Sequence, residues 1–347
     1  MGIGIAEKQW VGIDLHLHRS VICRIDDRGQ LLDCVQIDND AKVLVTEVRK
    51  AGRGAPVAIE ATYGWYWAVD ALQAAKFEMH LAHPYGMKAM RKRKRVKTDA
   101  VDACELANLL RLGSLPEGYI APPELRELRE LVRHRRQLTK TSTSVKAQIR
   151  ALLAKHGIRL PVSCLESQAV QDQLDAVVLP PCAQGRLGSR RRLMMMLDNE
   201  IDALDVELDK RLKTNTGYRN LLKVKGIGPV LAAVFVVEIG DITRFGTADQ
   251  LTCWAGITPR HYESDRTVRR GHISKEGCAL VRWAAVEAVQ RQCEPVVVKV
   301  RQDIIARRGR EARNIAKVAA GRKMLEVVFY VLRDGQARCL TQTSAAA

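Results

Sequence analysis

The longest uninterrupted helical pattern in the sequence lies between residues 122 and 157. It reads "PPELRELRELVRHRRQLTKTSTSVKAQIRALLAKHG", with prolines at the start, a glycine at the end and neither residue in between. Such a pattern predicts one long helix. A second helical segment, residues 190–213, has apolar residues at the four-three-four spacing of a coiled-coil seam: Leu197, Ile201, Leu204 and Leu208. With the Pro-containing connector 157–188, the two segments predict an antiparallel coiled-coil arm.

On either side of this arm the sequence pattern is different. Three β-rich runs occupy residues 9–38, and then helical and strand-like patterns alternate, which predicts a mixed sheet flanked by helices in a domain spanning 8–115. The arm and its dimerisation surface are expected at 122–215. Mainly helical patterns follow over 216–335, and residues 336–347 are expected to form a disordered tail.

The charge of the chain indicates what it binds. The formal net charge is +17 and the isoelectric point about 9.7, so a polyanion is the expected partner. Nucleic acid is favoured over a membrane, because no stretch approaches the roughly 20 apolar residues of a membrane helix. The nine cysteines form no CxxC motif, and we expect them to be small buried hydrophobic residues rather than a disulfide framework or a zinc site. A cytoplasmic protein is expected.

Four carboxylates stand out because of where they occur. Asp14 lies in "VGIDLH" and Glu60 in "VAIEAT", both in apolar strand patterns where an acid is costly without a site or a cation. Asp99 and Asp102 in "KTDAVDA" have the spacing that places two residues on one helix face. Four converging carboxylates suit hard divalent cations such as Mg²⁺. The alternatives are a helix N-terminus for the two helical acids, a lysine partner for Glu60, and His16 or His18 as the partner of Asp14.

A basic segment directly precedes the two helical acids. Its cations would hold a nucleic-acid backbone beside the carboxylates; they are Lys88, Arg91, Lys92, Arg93, Lys94, Arg95 and Lys97. Among the aromatics of "TYGWYW", we expect Trp65 and Trp67 to pack on the sheet, whereas Tyr63 or Tyr66 could stack on an unpaired base.

A glycine hairpin of the helix-hairpin-helix type is predicted within residues 221–240. Its turn is "KVKGIGP", and the residues that could contact a DNA phosphate are Lys223, Lys225, Gly226 and Gly228. An ordinary turn between two helices is the alternative.

Taken together, these motifs resemble a known family. An Asp on the first strand, a Glu on the fourth and a Thr-Asp-x-x-Asp helix start resemble the RuvC-like branch of the RNase H-like fold. "KTDAVDA", the arm, "LKVKGIGPVLAAVF" and "CWAGITPRHYESDRTVRRGHISKEGCALVRWA" resemble the DEDD insertion-sequence transposases of the IS one-ten family, the bridge-RNA-directed recombinases. The resemblance covers roughly residues 9–335 and implies that the four carboxylates form an acidic tetrad binding Mg²⁺, which Mn²⁺ can replace.

The same resemblance implies a serine nucleophile, Ser264, in the polar segment "PRHYESDRTVRRGHISK", which we expect to be a loop. Nearby cations could neutralise the charge of a pentacovalent phosphorane; they are Arg266, Arg269, Arg270 and Lys275. His261 and Tyr262 could donate to the phosphate, and Ser274 is expected to be the N-cap of a helix at 276–292. In the family a glycine commonly follows the nucleophile, whereas Asp265 follows it here.

The function implied is an RNA-guided recombinase that mobilises its own insertion element in bacteria, at the nucleoid, through a covalent phosphoserine intermediate. The partners implied are DNA, a structured guide RNA and further copies of the chain, as a dimer that assembles into a tetramer on DNA. One rival is a metal-dependent, structure-specific nuclease that uses water as its nucleophile. A second is a non-catalytic nucleic-acid scaffold that retains the fold.

Overall fold

The computed structural model describes residues 8–62, 64–90, 98–159, 165, 167–264, 267–291 and 293–337. The chain divides into two compact units, Met1–Ala121 and Pro122–Ala347. Among the described residues, no helix is both long enough and apolar enough to cross a membrane.

The first unit is built on a mixed sheet of six strands. In chain order the strands are β1 Trp10–Leu15, β2 Arg19–Ile25, β3 Leu31–Asp38, β4 Pro56–Glu60, β5 Glu78–Ala82 and β6 Glu117–Gly118. The helices are α1 Ala41–Arg49, α2 Trp65–Ala74, α3 Pro84–Met90 and α4 Asp99–Arg111. The strand order is β3-β2-β1-β4-β5-β6. β4 runs parallel to both β1 and β5, and the remaining pairs are antiparallel. This confirms the predicted mixed α/β fold and is compatible with an RNase H-like domain.

The two faces of the sheet are covered by different helices. Val11, Ile13 and Leu15 of β1 are buried in the apolar cluster that includes residues of α1 and α2. Because successive side chains of a strand point to opposite faces, Gly12 and Asp14 belong to the other face. That face packs against α4, as shown by the cluster that joins Val21 and Cys23 to Ala103.

The cysteine expectation is wrong for one pair. Cys23 and Cys34 are register partners on β2 and β3, their Cα atoms lie 4.2 Å apart, and they form a disulfide. Cys182 and Cys253 are exposed rather than buried. The sequence spacing of 11 residues does not indicate this pairing, because it depends on how two strands align.

The second unit is mainly helical. In chain order its helices are α5 Pro123–Lys155, α6 Gln168–Asp175, α7 Pro181–Leu212, α8 Thr216–Leu221, α9 Pro229–Ile239, α10 Ala248–Trp254, α11 Ala279–Ala288, α12 Pro295–Arg308 and α13 Arg313–Asp334. Short 3-10 helices occur at Ile242–Arg244 and Arg310–Ala312. A two-stranded antiparallel sheet is formed by β7 Pro259–Ser264 and β8 Thr267–Ile273. The largest apolar core of the second unit surrounds α9 and α13, where Phe235 and Phe329 are fully buried.

The two long helices of the predicted arm are present, and they pack against each other. Apolar clusters at the two ends of this contact are separated by a polar section, where Ser142 donates a hydrogen bond of 2.9 Å to Asp198 and Arg135 pairs with Asp205. α7 begins earlier than residue 190, and α6 lies inside the predicted connector. Both α5 and α7 have proline in their first turn, where the missing N–H costs no hydrogen bond.

Candidate metal centre and serine hairpin

Asp14 and Glu60 lie on neighbouring parallel strands. The register of β1 and β4 ends at the pair Ile13–Ile59, and each acid is the next residue along its strand. Ile13 and Ile59 are fully buried on the α1 and α2 side, so the acids that follow belong to the face covered by α4. The Asp14 side chain is only 13% exposed.

Gly12 allows α4 to pack very close to this face. A Cβ atom at Gly12 would lie 1.9 Å from the carbonyl oxygen of Ala103 and 2.7 Å from the backbone nitrogen of Ala107. Only glycine therefore permits this approach of helix to strand. The close contact brings the first turn of α4 to the strand that carries Asp14.

The first turn of α4 carries both predicted helical acids. The Thr98 hydroxyl accepts a hydrogen bond of 3.3 Å from the Val101 N–H and caps the helix. Asp99 and Asp102 follow in the first turn, where carboxylates complement the helix dipole. Asp102 is buried, with 6% exposure. The helix-terminus interpretation is thus correct for both acids, and it does not exclude a metal site at the same position.

The electrostatics of Asp14 indicate a site that favours a cation. Burial raises the pKa of the Asp14 carboxyl, His16 lowers it, and repulsion by Asp102 and Asp99 raises it further. Asp14 therefore interacts electrostatically with both acids of α4. A bound divalent cation would offset the repulsion among these three carboxylates.

His16 is the histidine partner of Asp14 that the alternative interpretation named, although the sequence prediction did not include it in the metal centre. Its Nε2 atom lies 3.2 Å from Oδ2 of Asp14 and 3.5 Å from Oδ1 of Asp99. Arg19 Nη2 lies 3.4 Å from the other oxygen of Asp99. The signal in the sequence is the short spacing, because His16 comes two residues after Asp14, immediately beyond the end of β1.

These donors fit a divalent cation. Asp14, His16 and Asp99 each offer one ligand atom, and the three atoms lie within 4.8 Å of one another. Adjacent ligands bound at about 2.1 Å lie about 3.0 Å apart around an octahedral ion and about 3.4 Å apart around a tetrahedral ion. In the described part of the chain, the acids that complete the predicted tetrad, Glu60 and Asp102, are not members of this three-donor group.

Most of the predicted basic segment, Arg91 through Lys97, lies outside the described residues, as does Tyr63. Lys88 is exposed on α3. Trp65 and Trp67 pack against the core of the first unit, as predicted. Tyr66 stacks edge-on against Trp65 with ring centroids 4.6 Å apart.

In the second unit, the predicted serine lies on a β-hairpin and not in an irregular loop. Ser264 is the last residue of β7, is exposed, and pairs with Thr267 at the start of β8. Asp265 and Arg266, which connect the strands, lie outside the described residues. Ser264 therefore stands at the tip of a hairpin.

The hairpin brings several predicted phosphate-contacting positions together. Tyr262 is the register partner of Arg269, and His261 is the partner of Arg270. Tyr262 is 58% exposed. Two hydrogen bonds raise the pKa of the Arg260 guanidinium: the larger effect comes from Tyr262 and the smaller from Glu276.

Two glycines hold the base of the hairpin. Gly256 and Gly277 have φ of +66° and +89°, and a Cβ on either would lie within 2 Å of a backbone oxygen. Ser274 is not the N-cap of the following helix, because α11 begins at Ala279 and Cys278 is its N-cap. Lys275, next to Ser274, instead adopts a φ of +57° and donates its N–H to the carbonyl of Gly256 at 3.0 Å.

The predicted glycine hairpin lies between α8 and α9. Gly226 has a φ of +97° and Gly228 is the N-cap of α9. The side chains of Lys223 and Lys225 are exposed. However, the Lys225 backbone N–H donates to Oε1 of the buried Glu294 at 2.8 Å, so this donor is already occupied by a carboxylate of the chain itself.

Comparison with known proteins identifies the class of enzyme. The model of the DEDD domain of IS110 elements, described as "Transposase", matches residues 11–158, and the model described as "Transposase IS116/IS110/IS902 family" matches residues 218–297. The chain belongs to this IS110/IS116 family of transposases. The two matched segments contain the acidic centre and the serine hairpin, respectively.

Curated relatives of this transposase agree with the assignment. A protein of Pseudomonas aeruginosa named "Probable family 20 transposase" is 25% identical over 312 residues, which are 84% of each chain. The "Transposase for insertion sequence element IS1111A" of Coxiella burnetii is 23% identical over 339 residues, 95% of this chain and 91% of the relative. The chain is thus an enzyme of DNA rearrangement.

Proposed function

We propose that this IS110-family transposase cuts and rejoins DNA through a covalent phosphoserine intermediate, guided by a structured RNA. The catalytic part of this proposal is supported by one observation: Asp14, Asp99 and Asp102 converge where β1 meets α4. Glu60 on the adjacent strand completes the tetrad. The guide RNA and the mobilisation of the chain's own element follow from the family resemblance rather than from a contact in the fold.

The acidic residues would bind Mg²⁺, which Mn²⁺ can replace. A bound ion would supply Lewis-acid stabilisation of the charge on the scissile phosphate. Asp14 and Asp99 present carboxylate oxygens to the centre, while buried Asp102 adds negative charge to it. The Thr98 cap fixes the helix turn that carries both α4 acids.

Ser264 would be the nucleophile. Its Oγ forms a bond to phosphorus, the bond between phosphorus and one deoxyribose oxygen breaks, the serine proton passes to solvent, and the departing oxygen takes up a proton. The reverse reaction with a hydroxyl of another strand releases the serine and joins new partners, so phosphodiester energy is kept and no ATP is needed. The exposed position at a hairpin tip gives a DNA backbone access to the hydroxyl.

We assign contact with DNA and RNA to cations that lie near these sites in the sequence. In the sequence, Lys88 and the basic segment 91–97 precede Asp99 and Asp102, and Arg266 follows Ser264 by two residues. Arg269 and Arg270 are residues of β8, and Lys275 follows its end. Lys223 and Lys225 of the glycine hairpin expose their side chains. Because the Lys225 N–H is bound to Glu294, we assign phosphate contact there to the ammonium groups rather than to that backbone donor.

Strand exchange between two duplexes needs more than one active site, so we propose a dimer through the arm that assembles into a tetramer on DNA. The α7 helix supports this proposal because it exposes Met195, Met196 and Val206, which are 59%, 55% and 71% accessible. Apolar side chains on a long helix gain stability when a second helix covers them.

The proposal is tested with end-labelled DNA that carries the element junction, RNA transcribed from the flanks of the gene, and Mg²⁺. Products are resolved on a denaturing gel with and without protease. We expect a protein-linked DNA band in the wild type and in the control Ser274→Ala, and no such band in Ser264→Ala or Asp102→Asn. If DNA is cleaved without an adduct, and Ser264→Ala leaves that cleavage unchanged, the protein is instead a nuclease that uses water as its nucleophile.

A further inference from the structure

His16 is held in place by contacts that do not involve the carboxylates. Its N–H donates to the carbonyl of Arg19 at 3.0 Å, closing the turn between β1 and β2. The Asn39 amide donates to the carbonyls of His16 and Leu17 at 2.7 and 3.1 Å. Asn39 in turn accepts a hydrogen bond of 2.6 Å from Ser20, which is fully buried. The backbone that carries the imidazole is therefore preorganised by neighbouring residues.

The imidazole is directed at two carboxylates from different elements. One ring nitrogen, Nε2, contacts Asp14 at 3.2 Å and Asp99 at 3.5 Å. The contact with Asp14 is a hydrogen bond or ion pair. The two distances lie within about 0.5 Å of the ~3.0 Å spacing of adjacent ligands around an octahedral ion, so a shared ion could be bound with a small adjustment of the side chains. Arg19 contacts Oδ2 of Asp99, which leaves Oδ1 facing His16.

We propose that His16 is a nitrogen ligand of the metal ion, and that it makes the centre prefer Mn²⁺ over Mg²⁺. The inference rests on the proposed metal centre and adds the identity of one ligand and its consequence. Mg²⁺ is a hard ion that prefers oxygen ligands, whereas imidazole suits transition metals. Neutral imidazole must offer its Nε2 lone pair, so ion binding replaces any proton on that atom.

The chain provides a matched control. His18 lies two residues further along, is exposed, and contributes a backbone carbonyl to the N–H of Asn39 at 3.0 Å. The same substitution, His→Gln, can thus be made at both positions. The hydrogen bonds that shape this turn use the backbone atoms of His16 and His18, so both variants should keep the turn.

The test measures metal binding to the full-length protein without DNA. Pulsed electron paramagnetic resonance of bound Mn²⁺ detects coupling to a ¹⁴N nucleus, and titration of the free Mn²⁺ signal gives affinity, with Mg²⁺ as competitor. We expect ¹⁴N coupling in the wild type and in His18→Gln, and its loss in His16→Gln. The affinity for Mn²⁺ should fall by about tenfold or more in His16→Gln, with a smaller change for Mg²⁺.

The possible outcomes distinguish the role of His16 from the existence of the metal centre. Wild-type Mn²⁺ that binds without ¹⁴N coupling, or an unchanged Mn²⁺-to-Mg²⁺ preference in His16→Gln, would overturn the role of His16 and leave the acidic centre intact. Binding that is unaffected by Asp14→Asn would overturn the metal centre itself. The wild-type spectrum alone is decisive, so the test stands even if the variant folds poorly.

Discussion

The close packing of α4 on β1 predicts a large effect from one added methyl group. In Gly12→Ala, the new Cβ would lie 1.9 Å from the Ala103 carbonyl oxygen, about 1.5 Å short of van der Waals contact. The obstacle is backbone, so no rotamer change can relieve it. We expect α4 to shift outward and the first unit to lose about 3 kcal/mol of stability, the upper end of the usual cost of overpacking.

The same shift should disturb the chemistry. α4 carries Asp99 and Asp102, and a displacement of about 1 Å can reduce an enzymatic rate by about a hundredfold. Hydrogen exchange followed by mass spectrometry measures the effect locally: peptides from β1 and α4 should lose protection, and DNA cleavage should fall by about that factor.

The matched control is Gly185→Ala on α7, where, in the described part of the chain, the added Cβ would meet no atom within 4 Å apart from its chain neighbours and the backbone of its own helix. Alanine there should stabilise the helix by up to about 1 kcal/mol and leave exchange in the first unit unchanged. Wild-type protection of β1 and α4 in Gly12→Ala, together with wild-type cleavage, would refute the idea that this contact positions the acids.

Three further predictions concern the second unit. Arg133→Met removes the bidentate partner of the buried Glu238. Urea unfolding should show that the free energy of unfolding falls by about 3 kcal/mol and is partly recovered when Glu238→Gln is added. Equal stabilities of the single and double variants would contradict this prediction. Burial and Asp209 raise the pKa of Tyr218 to about 12, whereas in the unfolded chain it is about 10. The unfolded state therefore ionises first, so stability should fall between about pH 10 and 12, and Tyr218→Phe should remove that part of the pH dependence; an unchanged pH profile would contradict the assignment. Gly277→Ala should weaken adduct formation without changing Mn²⁺ binding, because the substitution displaces only the base of the serine hairpin. A parallel loss of adduct formation and Mn²⁺ binding would contradict this prediction.

Local patterns were sufficient for much of the first unit. Asp14 and Glu60 could be found because each interrupts an apolar run, and Asp99 and Asp102 because their spacing fits one helix face. These signals lie within single elements.

What the sequence did not predict depends on contacts between elements. His16 meets Asp99 only because Gly12 brings α4 onto the sheet, and the Cys23–Cys34 pair depends on the register of two strands. The serine segment is polar and reads as a loop, yet it forms a β-hairpin.

Identification of the residue attached to DNA would test the phosphoserine mechanism directly. The protein, its RNA and junction DNA are incubated with Mg²⁺, the DNA is digested to a short remnant, and the protein is analysed by peptide mass spectrometry. We expect a nucleotide-phosphate adduct on Ser264 in the wild type and no adduct in Asp102→Asn. Attachment at another residue, or cleaved DNA with no modified peptide, would contradict the claim that this transposase acts through Ser264.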